Sequence, residues 1–339
     1  MEAKYYLTSG FDPSWETTQF EQEIVNKYTS DKQFDLIINS TWGFLECENP
    51  VTKEMSNKFE ITKYLVEQKL VKTILFYNFV DPIYDLSTWY EVFDHCKKYI
   101  HEDDIVTLGQ IDTNKMRLNV PFQYWAVFVA DHFEHYLLDD LRPKSFDNLY
   151  LCYNRKPTWH RVELYNKLES KNLLNKGIYT LGHQDPDKVK MVNADKTTIP
   201  FNDSKTHGQL NIANDTMTLG NMDLWNSHFV TIVNETQHVK KLGYPFLSEK
   251  IWKPIIGLRP FLCVGDQGTT QLLEDAGFYT FNDLFGIQKP DPSIDDVVKA
   301  IENCKLDPAQ TFEKIEPKLI HNNQRIFEYA KEQKQIFDL

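Results

Sequence analysis

"LYLCYNRKPTWHRVELYNKL", residues 149–168, contains two structural periods separated by a break. The opening "LYLCY" is uncharged and apolar, as a strand covered on both faces is. Asn154, Arg155, Lys156 and Pro157 interrupt it. Thr158 is then a good N-cap, and Trp159, Val162, Tyr165 and Leu168 form a helical stripe that predicts a buried face. The stretch reads strand, turn, helix, the unit from which parallel sheets are built.

The same alternation extends in both directions. Strand-like runs occur at "KYYLTSG", "FDLIINS", "KTILFYNFV", "DIVTLGQI", "YWAVFVA", "GIYTLG", "HFVTIVNE", "RPFLCVG" and "GFYTF". Helix-like stretches fall around 15–28, 54–69, 87–99, 158–172, 248–257, 268–276, 293–304 and 309–336. This predicts an α/β fold of mostly parallel sheets covered by helices. The polar stretch "LDDLRPKSFDN", residues 138–148, is the candidate boundary between an N-terminal α/β domain over 1–147 and a C-terminal one over 148–339. Two such Rossmann-like halves facing a cleft would bind ligands at the carboxyl ends of their strands.

Composition bounds the function. Across 339 residues, 41% are hydrophobic and 14% aromatic, which fills two cores and excludes a disordered chain. The longest apolar runs, such as "YWAVFVA" at 124–130, are strand-length, so no membrane partner is expected. The N-terminus has no basic segment followed by an apolar one, so no signal peptide is expected either. Cys47, Cys96, Cys152, Cys263 and Cys304 are odd in number and scattered. That pattern predicts reduced thiols, a cytoplasmic location and no zinc site.

The net charge of −12 is uneven. Residues 1–150 carry 14 Lys+Arg against 25 Asp+Glu, a balance of −11, and residues 151–339 carry 23 against 24, a balance of −1. An acidic first half is a poor surface for a nucleic acid.

Three strand ends in the second half carry chemistry. After "LYLCYN", Arg155, Lys156, His160 and Arg161 crowd a helix start, where the dipole disfavours cations unless an anion is bound. In "FLSEKIWKPI", residues 246–255, Ser248 is an N-cap and Glu249 suits a first turn, yet Lys250 and Lys253 also lie in the early turns. Any one of these cations is equally at home as a solvated surface charge. Their grouping at two helix starts points to a diphosphate. Glu235, directly after "HFVTIVN", can accept hydrogen bonds from sugar hydroxyls, and Glu249 can do so for a ribose. The third strand end, "RPFLCVGDQGTTQLLEDAGF", has a Gly265–Gly268 loop that lets backbone approach a ligand, with Thr269 or Thr270 as the following N-cap.

The run from Val230 to Gly265, "VTIVNETQHVKKLGYPFLSEKIWKPIIGLRPFLCVG", resembles the donor-binding motif of the α1,3/4-fucosyltransferase family. The corresponding pieces here are N-E-T, S-E-K-I-W-K and G-L-R-P-F-L-C-V-G. The upstream "YNRKPTWHRVELYNKL" is similar to the helix that supplies that family's phosphate-binding arginine. The second half, about residues 148–330, also resembles glycosyltransferase-type proteins of tailed phages and large viruses.

The resemblance implies a two-domain, GT-B-type glycosyltransferase with no required cofactor or catalytic metal. The nucleotide-diphosphate sugar would sit in the C-terminal domain and the acceptor mostly in the N-terminal one. It implies that Arg161, with Arg155 as second candidate, and Lys250 hold the diphosphate, that Glu249 holds the ribose and that Glu235 contacts the donor sugar. Asn154, His160, Ser248, Lys253 and Gly265 complete the donor-side candidates. Asn-Glu-Thr in place of Glu-Asn-Ser, and Pro254 after the lysines, leave the sugar and the base open.

Breaking a sugar–diphosphate bond needs the leaving group's charge stabilised, which Arg and Lys can do without a metal. It also needs a base for the acceptor hydroxyl. Candidates are Glu46 and Glu48 after "INSTWGFL", and Asp131 and Glu134 after "YWAVFVA", each read as following a strand. His132 and His135 lack a third metal ligand, and Asp185 and Asp187 in "HQDPDK" read as a turn. The expected acceptor is a glycan or small molecule. One alternative is a phage-type enzyme acting on hydroxymethylated pyrimidines in DNA, in the host cytoplasm if the protein is viral. The other is a non-catalytic nucleotide- or glycan-binding protein of the same fold.

Overall fold

The computed structural model describes residues 4–7, 34–39, 46–78, 86–109, 123–154, 158–180, 218–236, 238 and 245–335. The chain divides into two compact units, 1–124 with 333–339, and 125–332. The division falls ahead of the 138–148 stretch. That stretch packs within the second unit, where Leu141 O accepts a hydrogen bond from Arg259 Nη1 at 2.7 Å.

In the first unit, strands β1 (Tyr5–Leu7), β2 (Leu36–Asn39), β5 (Ile74–Asn78) and β6 (Ile105–Gly109) form a parallel sheet in that spatial order. Tyr5 pairs with Leu36, Leu36 with Ile74, and Ile74 with Ile105. Helices α1 (Lys58–Glu67) and α2 (Leu86–Cys96) supply Phe59, Ile61, Leu65, Val66, Val92 and Phe93 to the core on this sheet. Asn57 caps α1 by accepting from Glu60 N at 2.8 Å. Ahead of it, β3 (Glu46–Glu48) and β4 (Met55–Asn57) make an antiparallel hairpin that the sequence reading does not anticipate. The helix read from residue 54 therefore starts at Lys58.

In the second unit, β7 (Asn148–Cys152), β8 (Gly177–Tyr179), β9 (His228–Asn234) and β10 (Phe261–Val264) form a parallel sheet in the order β10-β9-β7-β8. All seven residues of β9 are buried, which explains its uninterrupted apolar run. Gly177 is required where β8 meets β7, because a Cβ there would lie 2.4 Å from Tyr150 O. Chain order reverses between β7 and β9: β8 lies on one side, β9 and β10 on the other. In open parallel sheets such a reversal is the place where ligands bind, at the carboxyl ends of the two strands. The first sheet runs β1-β2-β5-β6 with no such reversal among its described strands.

The remaining helices, which but for Tyr124 and residues 333–335 belong to the second unit, are α3 (Tyr124–Phe133), α4 (Leu138–Leu141), α5 (Trp159–Ser170), α6 (Met222–Trp225), α7 (Glu249–Ile256), α8 (Thr269–Asp275), α9 (Ile294–Asn303) and α10 (Pro308–Gln335). Two segments differ from their sequence reading as strands. "YWAVFVA" lies in α3, and Tyr124 to Ala130 are all buried. A helix buried on every side has no polar stripe, so periodicity cannot separate it from a buried strand. "GFYTF" pairs with a side chain instead of a strand: Asn322 accepts from Tyr279 N and donates to Tyr279 O, both at 2.8 Å. No described helix is long and apolar enough to cross a membrane.

Candidate functional site

The donor-side candidates gather at the carboxyl ends of β7 and β9. Glu235 is the first residue beyond β9 and is 0% exposed. Its carboxylate accepts from Ser248 N at 3.2 Å, from Thr236 N at 3.1 Å and from the Ser248 hydroxyl. Burial pushes this carboxyl above its usual range, opposed first by Lys250 and then by the Ser248 hydrogen bond.

The start of α5 reaches the backbone of the same residue. His160 Nε2 lies 3.0 Å from Glu235 O, and Arg161 Nη2 donates to Glu235 O at 3.2 Å and Asn234 O at 3.3 Å. Arg161 is only 4% exposed. Burial lowers its pKa, while Glu249 and Glu235 act to raise it. His160 is pulled down to about 4, first by burial and then by Arg161, so it is neutral near pH 7.

The start of α7 answers the question its lysines raise. Lys250 Nζ donates to Glu249 Oε1 at 2.6 Å, Thr236 Oγ1 at 3.2 Å and Ser248 Oγ at 3.3 Å, so resident carboxylates already offset part of its charge. Ser248 is the N-cap and accepts from Lys250 N at 3.3 Å. Burial acts to raise the Glu249 carboxyl, but Lys250 and Lys253 outweigh it and hold the group at about 2. Lys253 falls in the last turn of this eight-residue helix, where the dipole favours a cation, a correction to its reading as an early-turn charge. Lys250 is thus the partly exposed ammonium of this cluster, with Glu249 as its carboxylate partner.

Gly265 follows β10 and closes this side. A Cβ there would lie 3.3 Å from Glu235 Cγ and 3.3 Å from Cys263 Sγ, so the missing side chain makes room for the buried carboxylate. Its carbonyl is 3.0 Å from His238 Nδ1. In the loop beyond, the amides of Gly268 and Thr270 are already taken. Asp291 accepts from Gly268 N at 2.8 Å and Thr270 N at 3.1 Å, and the N-cap is Gly268, at φ +94°, instead of a threonine.

Asn154 lies two residues past β7 and is buried, as is Asn234 at the end of β9. Both amides donate to Cys152 Sγ, at 3.3 and 3.7 Å, and Asn234 also donates to Tyr179 OH at 3.4 Å. Burial pushes the Cys152 thiol up to about 12. Among the described residues, nothing donates to Asn154 Oδ1 or Asn234 Oδ1. Buried acceptors without a donor are uncommon and point to a missing partner.

Trp159 departs from its reading as part of the buried stripe of α5. Val162, Tyr165 and Leu168 are buried, but Trp159 is 60% exposed. A first-turn residue needs no register partner along the helix, so the stripe read from the sequence starts one turn too early. The sequence reading also passes over His238 and Asn234. Asn234 carries a usable signal, a polar residue closing a strand otherwise buried throughout.

None of the base candidates follows a strand end. Glu46 and Glu48 lie within β3 instead of following a strand, and exposed Glu48 meets Lys53 at 3.3 Å. Asp131 is within α3 and Glu134 just beyond it, both exposed. The strand end that singles them out is a helix. His132 lies 2.8 Å from Phe128 O and stacks on Phe128, and no group of three possible metal ligands occurs among the described residues. Arg155, Lys156, Asp185 and Asp187 lie outside the described residues. All five cysteines are free. No family model, curated protein or solved structure matches the chain.

Proposed function

We propose that the site at the carboxyl ends of β7 and β9 binds a nucleotide-diphosphate sugar and that the protein is a glycosyltransferase, passing the sugar to a hydroxyl of a glycan or small molecule without a required metal. On this reading the two units are Rossmann-like halves of a GT-B architecture. One observation carries it. Arg161 holds the Glu235 carbonyl, and Lys250, paired with Glu249, bonds the next residue, Thr236, and acts electrostatically on the Glu235 carboxylate, at a reversal of strand order. Lys250 supplies a partly exposed ammonium for the diphosphate, both in the bound donor and as charge develops on the leaving group. Arg161 adds field while its guanidinium fixes the Asn234 and Glu235 carbonyls. Glu249 accepts hydroxyls of the ligand. The resemblance of Val230–Gly265 to fucosyltransferase donor motifs supports the same assignment.

Thermal unfolding against nucleoside diphosphates and nucleotide-sugars, with and without EDTA, tests this. Ligand at 100 times its Kd adds about 2.7 kcal/mol. The expected outcome is a shift with at least one nucleotide that survives EDTA and shrinks in Lys250→Ala, with release of nucleoside diphosphate when acceptor is added. No shift with any nucleotide overturns the reading. Arg161→Ala is a poor test, since the buried guanidinium also supports the strand end.

A further inference from the structure

We infer that Trp159, braced by His238, is the platform on which the nucleobase of the bound nucleotide stacks. This rests on the reading of the β7 and β9 strand ends as a nucleoside-diphosphate site. Trp159 opens α5 directly before His160 and Arg161. Its ring lies 5.5 Å from that of His160, edge to face, and 5.4 Å from that of His238. His160 is tied to Glu235 O and His238 to Gly265 O, each at 3.0 Å. The indole is therefore held beside the ends of β9 and β10, and a ring already fixed loses little freedom on binding.

Folding alone does not account for an indole left 60% exposed when the other apolar residues of its helix are buried. Three features lie at these strand and helix ends: an aromatic face without a stacked partner ring among the described residues, the partly exposed ammonium of Lys250, and two buried amide oxygens to which no described residue donates. Inorganic phosphate would answer only the cation. A membrane or an apolar protein face would leave the amide oxygens unpaired, at about 1–3 kcal/mol each if water is excluded. A nucleoside diphosphate carries a planar base, an anion and hydroxyl donors, and answers all three.

Equilibrium dialysis of UDP, GDP, ADP, the matching nucleotide-sugar and inorganic pyrophosphate against wild type, Trp159→Ala and Trp159→Phe decides the matter. Wild type is expected to hold one nucleoside diphosphate more tightly than pyrophosphate. Trp159→Ala should lose that advantage, a fall of about five- to hundredfold, with pyrophosphate binding unchanged. Trp159→Phe should restore most of it. An unchanged nucleotide affinity in Trp159→Ala overturns the inference, as does an equal loss for nucleotide and pyrophosphate, which would mean a disturbed helix start. Loss for the nucleotide-sugar but not for the nucleoside diphosphate would move the platform from base to sugar and also overturns it. If wild type binds pyrophosphate and nucleotide equally, the base platform fails while the phosphate site stands. If it binds neither, the reading of the site itself fails.

Discussion

The hydroxyl of Ser248 joins two elements: it donates to the carboxylate of Glu235, thirteen residues earlier in the chain, and accepts from Lys250 N to cap α7 and from Lys250 Nζ. The same residue's backbone N–H donates to that carboxylate at 3.2 Å. One side chain thus joins the end of β9 to the start of α7. Removing it leaves a buried carboxylate short of a donor and a helix short of a cap.

Ser248→Ala should therefore cost more than a lone N-cap, for which about 1 kcal/mol is typical. Adding about 1.5–3 kcal/mol for a hydrogen bond to a buried charged group predicts a loss of about 2.5–4 kcal/mol. Urea unfolding at pH 7 measures it. A loss of about 1 kcal/mol or less would mean that the two backbone N–H groups suffice for Glu235.

His160 gives stability an acid-side slope. It binds a proton near 6.5 when unfolded but near 4 when folded, so stability falls as pH drops from 6.5 towards 4, by at most about 3 kcal/mol. Glu235 acts in the opposite sense. Its carboxyl is raised in the fold, so its contribution is fullest below 4.5 and is lost as pH rises through the raised value. His160→Gln should lose less stability than wild type between pH 6.5 and 4 in parallel urea titrations. Superimposable profiles would show that the imidazole is protonated in the folded protein.

Glu249 supplies the complementary case. Its folded value of about 2 lies below its ordinary 4.5, so the stability it contributes is present above pH 4.5 and disappears as pH falls through about 2. The carboxylate is 13% exposed, which makes about 3 kcal/mol an upper bound. Glu249→Gln should be less stable than wild type at pH 6 and indistinguishable from it near pH 2, read by circular dichroism in urea. A gap that persists at pH 2 would point to lost packing instead of lost charge.

The second sheet is legible in the sequence because each of its buried strands is a short apolar run that ends in polar residues, as "HFVTIVNE" does. Helix starts are equally plain where chemistry marks them, at Ser248 and Ser293, the latter closing a capping box with Asp296. What misleads is the absence of contrast. Tyr124 to Ala130 is apolar in every direction, and a strand assigned there gives Asp131 and Glu134 a strand-end position that the helix does not. The donor-side cluster is readable from helix starts and strand ends, but its internal neutralisation is not. Which carboxylate faces Lys250, and that Lys253 falls in a last turn, depends on where α7 stops, and Gly257 sets that end.

Gly257 is required for space rather than for its dihedral, since its φ of −88° suits any residue. A Cβ would sit 2.4 Å from Trp225 Cζ2 and 2.8 Å from Lys253 O. The indole cannot simply retreat: Trp225 is buried, its Nε1 donates to Gly257 O at 3.1 Å, and its carbonyl accepts from Arg259 Nη2 at 2.7 Å. Arg259 is itself buried and held by carbonyls, so displacing Trp225 disturbs a second desolvated group. Gly257→Ala should cost about 3 kcal/mol, at the upper end for overpacking, with altered tryptophan fluorescence. Gly286 is the contrast, with φ +72° and nothing within 4 Å of where a methyl group would lie. Gly286→Ala should cost only the backbone strain of about 1–2 kcal/mol and leave the fluorescence unchanged. If Gly286→Ala proves the more damaging of the two, the packing of Trp225 against α7 is looser than these distances require.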